Sequence, residues 1–135
     1  MHRVTAIQIG LDPDVIDYTS PAFAQFPGLT PAGLRAANDQ NLAGLRSAGY
    51  QVDNCLIPAD RTGADQARDA LAARRYDAVL IGAGIRLVAD NTLLFEAIVN
   101  AAHTLAPQCR FVFNRAAAST PDDIRRWYPN PELAS

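Results

Sequence analysis

The chain contains no lysine, so each of its 12 basic residues is an arginine. That absence removes any chemistry needing a lysine of the chain's own, such as a Schiff base or the Walker A contact to a nucleotide phosphate. Glutamate and histidine are scarce: Glu96 and Glu132, His2 and His103. Few side chains remain for general acid and base work. Cys55 and Cys109 fall within strand segments on opposite edges of the sheet derived below, and are expected to be reduced core thiols. No His/Cys/Asp spacing resembles a zinc site, so no metal is expected. No apolar run approaches the roughly 20 residues of a membrane span, and the N-terminus lacks the apolar region of a signal peptide. A cytoplasmic location without a membrane partner follows as the expectation. A net charge of −2 offers no broad attraction to nucleic acid, which is not expected as a partner either. Residues 1–135 suit one domain that builds its core without disulfide or metal.

The chain does contain one unbroken apolar run closed by glycines, Tyr76-Asp77-Ala78-Val79-Leu80-Ile81-Gly82-Ala83-Gly84-Ile85-Arg86. With no polar alternation it reads as a strand covered on both faces, the central strand of a parallel sheet. Its glycines then lie at the C-terminal edge, where open α/β sheets take ligands. The run also imitates a dinucleotide-binding fingerprint. The fingerprint fails, because Leu87 stands where a third glycine or alanine should be and helical spacing resumes only near Asp90.

In chain order, Val4 to Gly10 reads as a first strand, apolar apart from Thr5 and Gln8. The connection from Leu11 to Thr30 is long for a compact domain and carries Tyr18, Phe23 and Phe26, as lids and binding loops often do. The first helix opens with Thr30 as N-cap and Pro31 at its first position and stops at Gly49, with Leu34, Ala37, Leu42 and Leu45 inward. Tyr50 to Ile57 is the second strand, Thr62 to Arg75 the second helix, Asp90 to Ala106 the third, and Arg110 to Asn114 the fourth strand. A short helix capped at Thr120 ends near Trp127.

Strands alternating with helices imply an α/β fold, a three-layer sandwich around a four-stranded parallel sheet with right-handed crossovers. The usual doubly wound solution is strand order 2-1-3-4. Winding reverses between strands one and three, which places the crevice between the turn at Gly10-Leu11-Asp12-Pro13 and the turn at Gly82 to Arg86. Asn114 and Arg115 end strand four on the same edge.

Gly-Leu-Asp-Pro at 10 to 13, Gly-Leu-Thr at 28 to 30, Tyr-Asp at 76 to 77, Ile-Gly-Ala-Gly-Ile-Arg at 81 to 86, Leu-Phe-Glu at 94 to 96, Ala-Pro at 106 to 107 and Phe-Asn at 113 to 114 span nearly the whole chain. In these segments it resembles a group of small, functionally uncharacterised bacterial proteins. The resemblance implies a Rossmann-like or flavodoxin-like half unit standing alone, and carries no activity and no cofactor.

The candidate ligand-binding residues are therefore Gly10, Asp12, Gly82, Gly84, Arg86, Asn114 and Arg115. Arg86 has the planar fork that suits phosphate or carboxylate, or equally a pairing with Asp12 or Asp14 that holds the loop. Asp12 before Pro13 is an acid–base candidate and also an ordinary turn opener. Gly82 and Gly84 either admit a ligand or serve a tight turn. A phospho-receiver is opposed by Gly82 after strand three and by the missing lysine. FMN binding is opposed by Leu11-Asp12-Pro13-Asp14 where a Ser/Thr-rich phosphate loop belongs, and no serine sits in a nucleophile elbow.

Two functions from different classes follow. One is a small-molecule site, enzymatic or sensory, for an anionic, phosphate- or carboxylate-bearing ligand at the sheet edge. The other is a non-catalytic interaction domain serving self-association or a protein partner, with a homodimer expected through the outer face of the third helix. There Glu96, Asn100 and His103 form a polar stripe beside Phe95 and Val99, a pattern that suits a two-fold interface.

Overall fold

The four residues Ala78–Ile81 are all buried, and this strand binds a neighbour along each edge. The computed structural model describes residues 2–133. In it, strand β1 (His2–Arg3) precedes β2 (Thr5–Leu11), helix α1 (Pro31–Ser47), β3 (Gln51–Ile57), α2 (Arg61–Ala73), β4 (Ala78–Ile81), α3 (Ala83–Arg86), α4 (Thr92–Leu105), β5 (Arg110–Phe113), α5 (Thr120–Asp123) and β6 (Glu132–Leu133). The main sheet is parallel with order β3-β2-β4-β5, so β2 and β4 are central. Ile9 stands opposite Ile81, and Gly82 N–H donates to the Ile9 carbonyl at 2.9 Å. The register thus brings Gly10 and Gly82 out of the sheet at one level.

Both faces of the sheet are covered because the central strands are apolar at odd and even positions alike. On one face Ile7, Ile9, Ile57, Val79 and Ile81 meet Ala67 and Leu71 of α2 and Leu94, Ile98 and Ala102 of α4. On the other, Ala6, Val52, Leu80 and Val112 meet Leu42 and Leu45 of α1 together with Ile124. Each fully buried aliphatic side chain contributes about 1.5–3 kcal/mol. Helices on both sides of one sheet make three layers.

The helix starts follow local chemistry. The Thr30 hydroxyl accepts from Gly33 N–H at 3.0 Å ahead of Pro31, and Gly49, with φ +101°, turns the chain out of α1. Asp60 caps α2 through Gly63 N–H at 3.0 Å, so that helix begins at Arg61 instead of Thr62. Expected boundaries shift elsewhere too. The first strand runs Thr5–Leu11, β3 starts at Gln51, the fourth strand stops at Phe113, and Cys109 lies one residue before it. Thr120 is the first residue of α5, with Ser119 before it. The segment read as an extended loop after Gly82 folds into α3, held by Arg86 N–H and Leu87 N–H donating to Gly82 and Ala83 carbonyls. A single turn is too short to show helical periodicity. The antiparallel pairing of β1 with β6, His2 with Leu133 and Arg3 with Glu132, is likewise too short to leave a pattern. Among the described residues no helix is long and apolar enough to cross a membrane.

Candidate functional site

The ends of β2 and β4, the side of α1 and the segment after β5 enclose a cavity of about 390 Å³. The 12–30 connection roofs it with Pro13, Ile16, Phe23, Phe26 and Leu29, while Leu34, Leu56, Leu80 and Val112 supply walls. The size is that of a small-molecule pocket. Within the roof Tyr18 Oη–H donates to the Pro13 carbonyl at 2.7 Å, and the roof is tied down by Gln25 Nε2 donating to the Leu87 carbonyl at 2.8 Å and by Arg35 of α1, 2.7 Å from Asp14.

Of the candidates named from sequence, Gly10, Gly82, Gly84, Asn114 and Arg115 line this one cavity. Asp12 and Arg86 are not among its lining residues. Asp12 Oδ1 accepts from Asp14 N–H at 3.0 Å and so caps the turn Pro13–Val15, and it lies 3.9 Å from Arg35. Its carboxylate is therefore a loop fastener. Arg86 donates to the Ile81 carbonyl, to Asn114 Oδ1 at 2.8 Å and to the Asn114 carbonyl at 3.0 Å, with its guanidinium 4.8 Å from the Phe113 ring centre. Phe113 also packs edge-on against Phe95 of α4, 6.0 Å between centres. Arg86 thus clamps the ends of β4 and β5 on the α4 side, and burial lowers its pKa. The pairing with Asp12 or Asp14 entertained from sequence is replaced by carbonyl and amide partners.

The glycines also behave differently from turn glycines. Neither Gly10 nor Gly82 has positive φ, and Gly82 sits in ordinary extended backbone at φ −68°. A Cβ on Gly10 would come no nearer than 3.8 Å to Leu56 Cδ2, and one on Gly82 no nearer than 3.6 Å to the Ile9 carbonyl. Backbone geometry and neighbouring atoms would admit alanine at both. Gly84 is tighter, 3.3 Å from Leu11 Cδ1.

Arg115 belongs to a compact charge cluster at the rim. Asp123, fully buried, accepts from Arg115 N–H at 3.0 Å, Arg115 Nε at 2.7 Å, Arg126 Nη1 and the Ser119 hydroxyl. Burial alone would raise this carboxyl's pKa, but the hydrogen bonds from Ser119, Arg115 and Arg126 outweigh it and hold the value at about 2. Among the described residues the two Nη groups of Arg115 make no hydrogen bond within the chain. Two guanidinium groups on one carboxylate leave the rim positively charged.

Four polar lining residues were not candidates from sequence: Gln8, Asn38, Asn41 and Thr120. Gln8 is the polar exception inside β2. The asparagines lie on the inward stripe Leu34, Asn38, Asn41, Leu45 of α1, where spacings of four, three and four residues put all four on one face. Polar residues in the middle of an apolar stripe were the available signal.

On α4, Glu96, Asn100 and His103 are exposed, while Phe95 and Val99 are half-buried against the core of their own chain. Leu105, in the last turn of α4, is 37% exposed. Among the described residues, no three His, Cys, Asp or Glu side chains gather as metal ligands. The chain matches no protein-family model and no curated protein.

Proposed function

We propose that this protein binds a small molecule with an apolar body and one phosphate or carboxylate group in the cavity at the C-terminal edge of its sheet. The fold is then a flavodoxin-like or Rossmann-like half unit acting in the cytoplasm, with its ligand at the reversal of winding between β2 and β4. The observation that carries the proposal is the apolar, roofed cavity of about 390 Å³ with a cation at its rim. Arg115 supplies that cation, since its Nη groups are unengaged among the described residues and the single carboxylate beside it also serves Arg126. Arg86, committed to the strand ends, adds long-range charge through its proximity to the same cluster. The lining includes no carboxylate, imidazole or thiol, so the reading is of binding and sensing, with no acid–base step assigned.

The test is a thermal-shift screen of nucleotides, sugar phosphates and aromatic or aliphatic carboxylates, with Arg115→Gln alongside. A ligand at a hundred times its Kd stabilises the folded state by about 2.7 kcal/mol. The proposal expects a binder whose effect falls in Arg115→Gln. It is overturned if no compound raises the melting temperature, or if every binder is indifferent to Arg115.

A second reading, self-association through the outer face of α4, keeps one favourable observation: Leu93 beside the Glu96, Asn100 and His103 stripe is 76% exposed. Light scattering of the wild type and of Phe95→Asp with Val99→Asp tests it. A wild-type monomer at micromolar concentration sinks it.

A further inference from the structure

Gln8 and Asn41 are polar side chains inside the core, 8% and 6% exposed, and both line the cavity. Each is only half satisfied. Gln8 Nε2 donates to Asn38 Oδ1 at 2.7 Å and Asn41 Nδ2 donates to the Ala117 carbonyl at 2.8 Å. The side-chain oxygens, Gln8 Oε1 and Asn41 Oδ1, are buried without a hydrogen-bond partner among the described residues. A buried polar atom left unmade is a standing cost to the fold, and one such atom is unusual enough to need a reason. Two on residues of the same cavity, one from β2 and one from α1, point to one reason.

The orientation of Asn41 is set by chemistry, because only its N–H₂ can meet the Ala117 carbonyl; its oxygen is therefore the free acceptor. Gln8 and Asn38 could be turned over together and keep their mutual bond. Gln8 would then present unpaired N–H donors in place of an oxygen, and its need for a polar partner would be the same. Asn41 keeps its bond to the Ala117 carbonyl and so holds its oxygen in place, whereas the soft terminal torsion of Gln8 lets that amide turn together with Asn38.

Resting on the small-molecule reading above, we infer that the end of the ligand lying deepest in the cavity is a neutral group with N–H or O–H donors, such as a primary amide, a lactam or an N–H heterocycle, held by Asn41 and Gln8. The alternatives fail on charge and polarity. A buried anionic end would face the Asn41 oxygen. A buried ammonium or amidinium would have no carboxylate in the lining to compensate it. A purely apolar end would leave both amides as unpaired as before. The anionic end of the molecule is thereby directed to Arg115 at the rim, and the donor end to the floor.

Matched acids that differ only in the donor test this: indole-3-acetate against 1-methylindole-3-acetate, and 4-carbamoylbenzoate against its N,N-dimethyl amide, titrated by calorimetry on the intact protein. In at least one pair the donor-bearing acid should bind about tenfold tighter or more, the worth of one buried hydrogen bond left unmade. That preference should collapse in Asn41→Leu, which replaces the half-paired amide by an apolar group of similar size. Where a variant fails to fold, the ratio within each pair on wild-type protein decides. Equal affinity within every pair that binds overturns the donor inference while leaving the anion-binding cavity standing. Binding of none of the four acids at millimolar concentration overturns both.

Discussion

Asp123→Asn is the substitution whose consequences follow most directly from the geometry. The carboxylate, on the last residue of α5, is fully buried and accepts from Ser119, from the backbone and Nε of Arg115, and from Arg126. Its pKa lies at about 2 against an ordinary 3.8. That difference corresponds to about 2.5 kcal/mol favouring the folded state when the group is ionised in both states. The side chains of Arg115 and Arg126 are 72% and 42% exposed, so water screens the pairing and about 1–2 kcal/mol is the expected electrostatic share. Asparagine also turns an amino group toward some of these donors, which costs about 1 kcal/mol more. The loss should therefore total about 2–3 kcal/mol at neutral pH. The sign is that of a depressed carboxyl: the electrostatic share of the wild-type advantage is present above pH 3.8 and is lost as pH falls toward 2. Guanidinium unfolding followed by the fluorescence of Trp127, the single tryptophan next to Arg126, reads the difference directly. A midpoint for Asp123→Asn equal to wild type at neutral pH, or a gap that stays constant down to about pH 2, would refute the reasoning. A functional consequence accompanies the structural one. Asp123 positions Arg115, so the variant that folds should also bind anionic probes more weakly.

Three other outcomes are expected. Gly63→Ala places a Cβ 1.9 Å from the Pro58 carbonyl oxygen; the β3–α2 turn must move, and chemical denaturation should show a loss of about 2–3 kcal/mol. Gly10→Ala, with no positive φ and its nearest neighbour 3.8 Å away, should melt at or slightly above wild type through an entropic gain of about 0.5 kcal/mol. Its methyl group, on the α1 face with Ala6 and Gln8, narrows the cavity, so a calorimetric titration should show weaker binding of the acids named above; a large drop in melting temperature would contradict the steric reading. Burial raises the pKa of Cys55 and Cys109, so both thiols should alkylate with iodoacetamide at neutral pH more slowly than in guanidinium-unfolded chain, as mass spectrometry can time. Equal rates in the two states would show them to be open.

The alternation of strands and helices was written in local patterns: the apolar run at Ala78–Ile81, the Thr30-Pro31 start and Gly49 stop of α1, and the inward leucines of each helix. Such signals involve neighbours in sequence, and propensity, capping and periodicity act at that range. They also placed Gly10, Gly82, Gly84, Asn114 and Arg115 at one edge, because parallel strands end together. What they left open was direction and partnership. Arg86 and Arg115 have the same composition and the same place at a strand end. Only the packed structure shows one guanidinium spent on the Ile81 and Asn114 carbonyls over Phe113 and the other held by Asp123, on a residue that lines the cavity. Likewise Gln8 and Asn41 are 33 positions apart, and nothing local joins them. Their place on one cavity depends on α1 packing over the face of the sheet that holds Gln8, and their unpaired oxygens exist only because the rest of the core closes around them. The sequence shows polar residues interrupting apolar stripes at Gln8, Asn38 and Asn41, but hydrogen-bond satisfaction is a property of the assembled interior, and for that reason only tertiary structure decided which of their atoms are left without a partner.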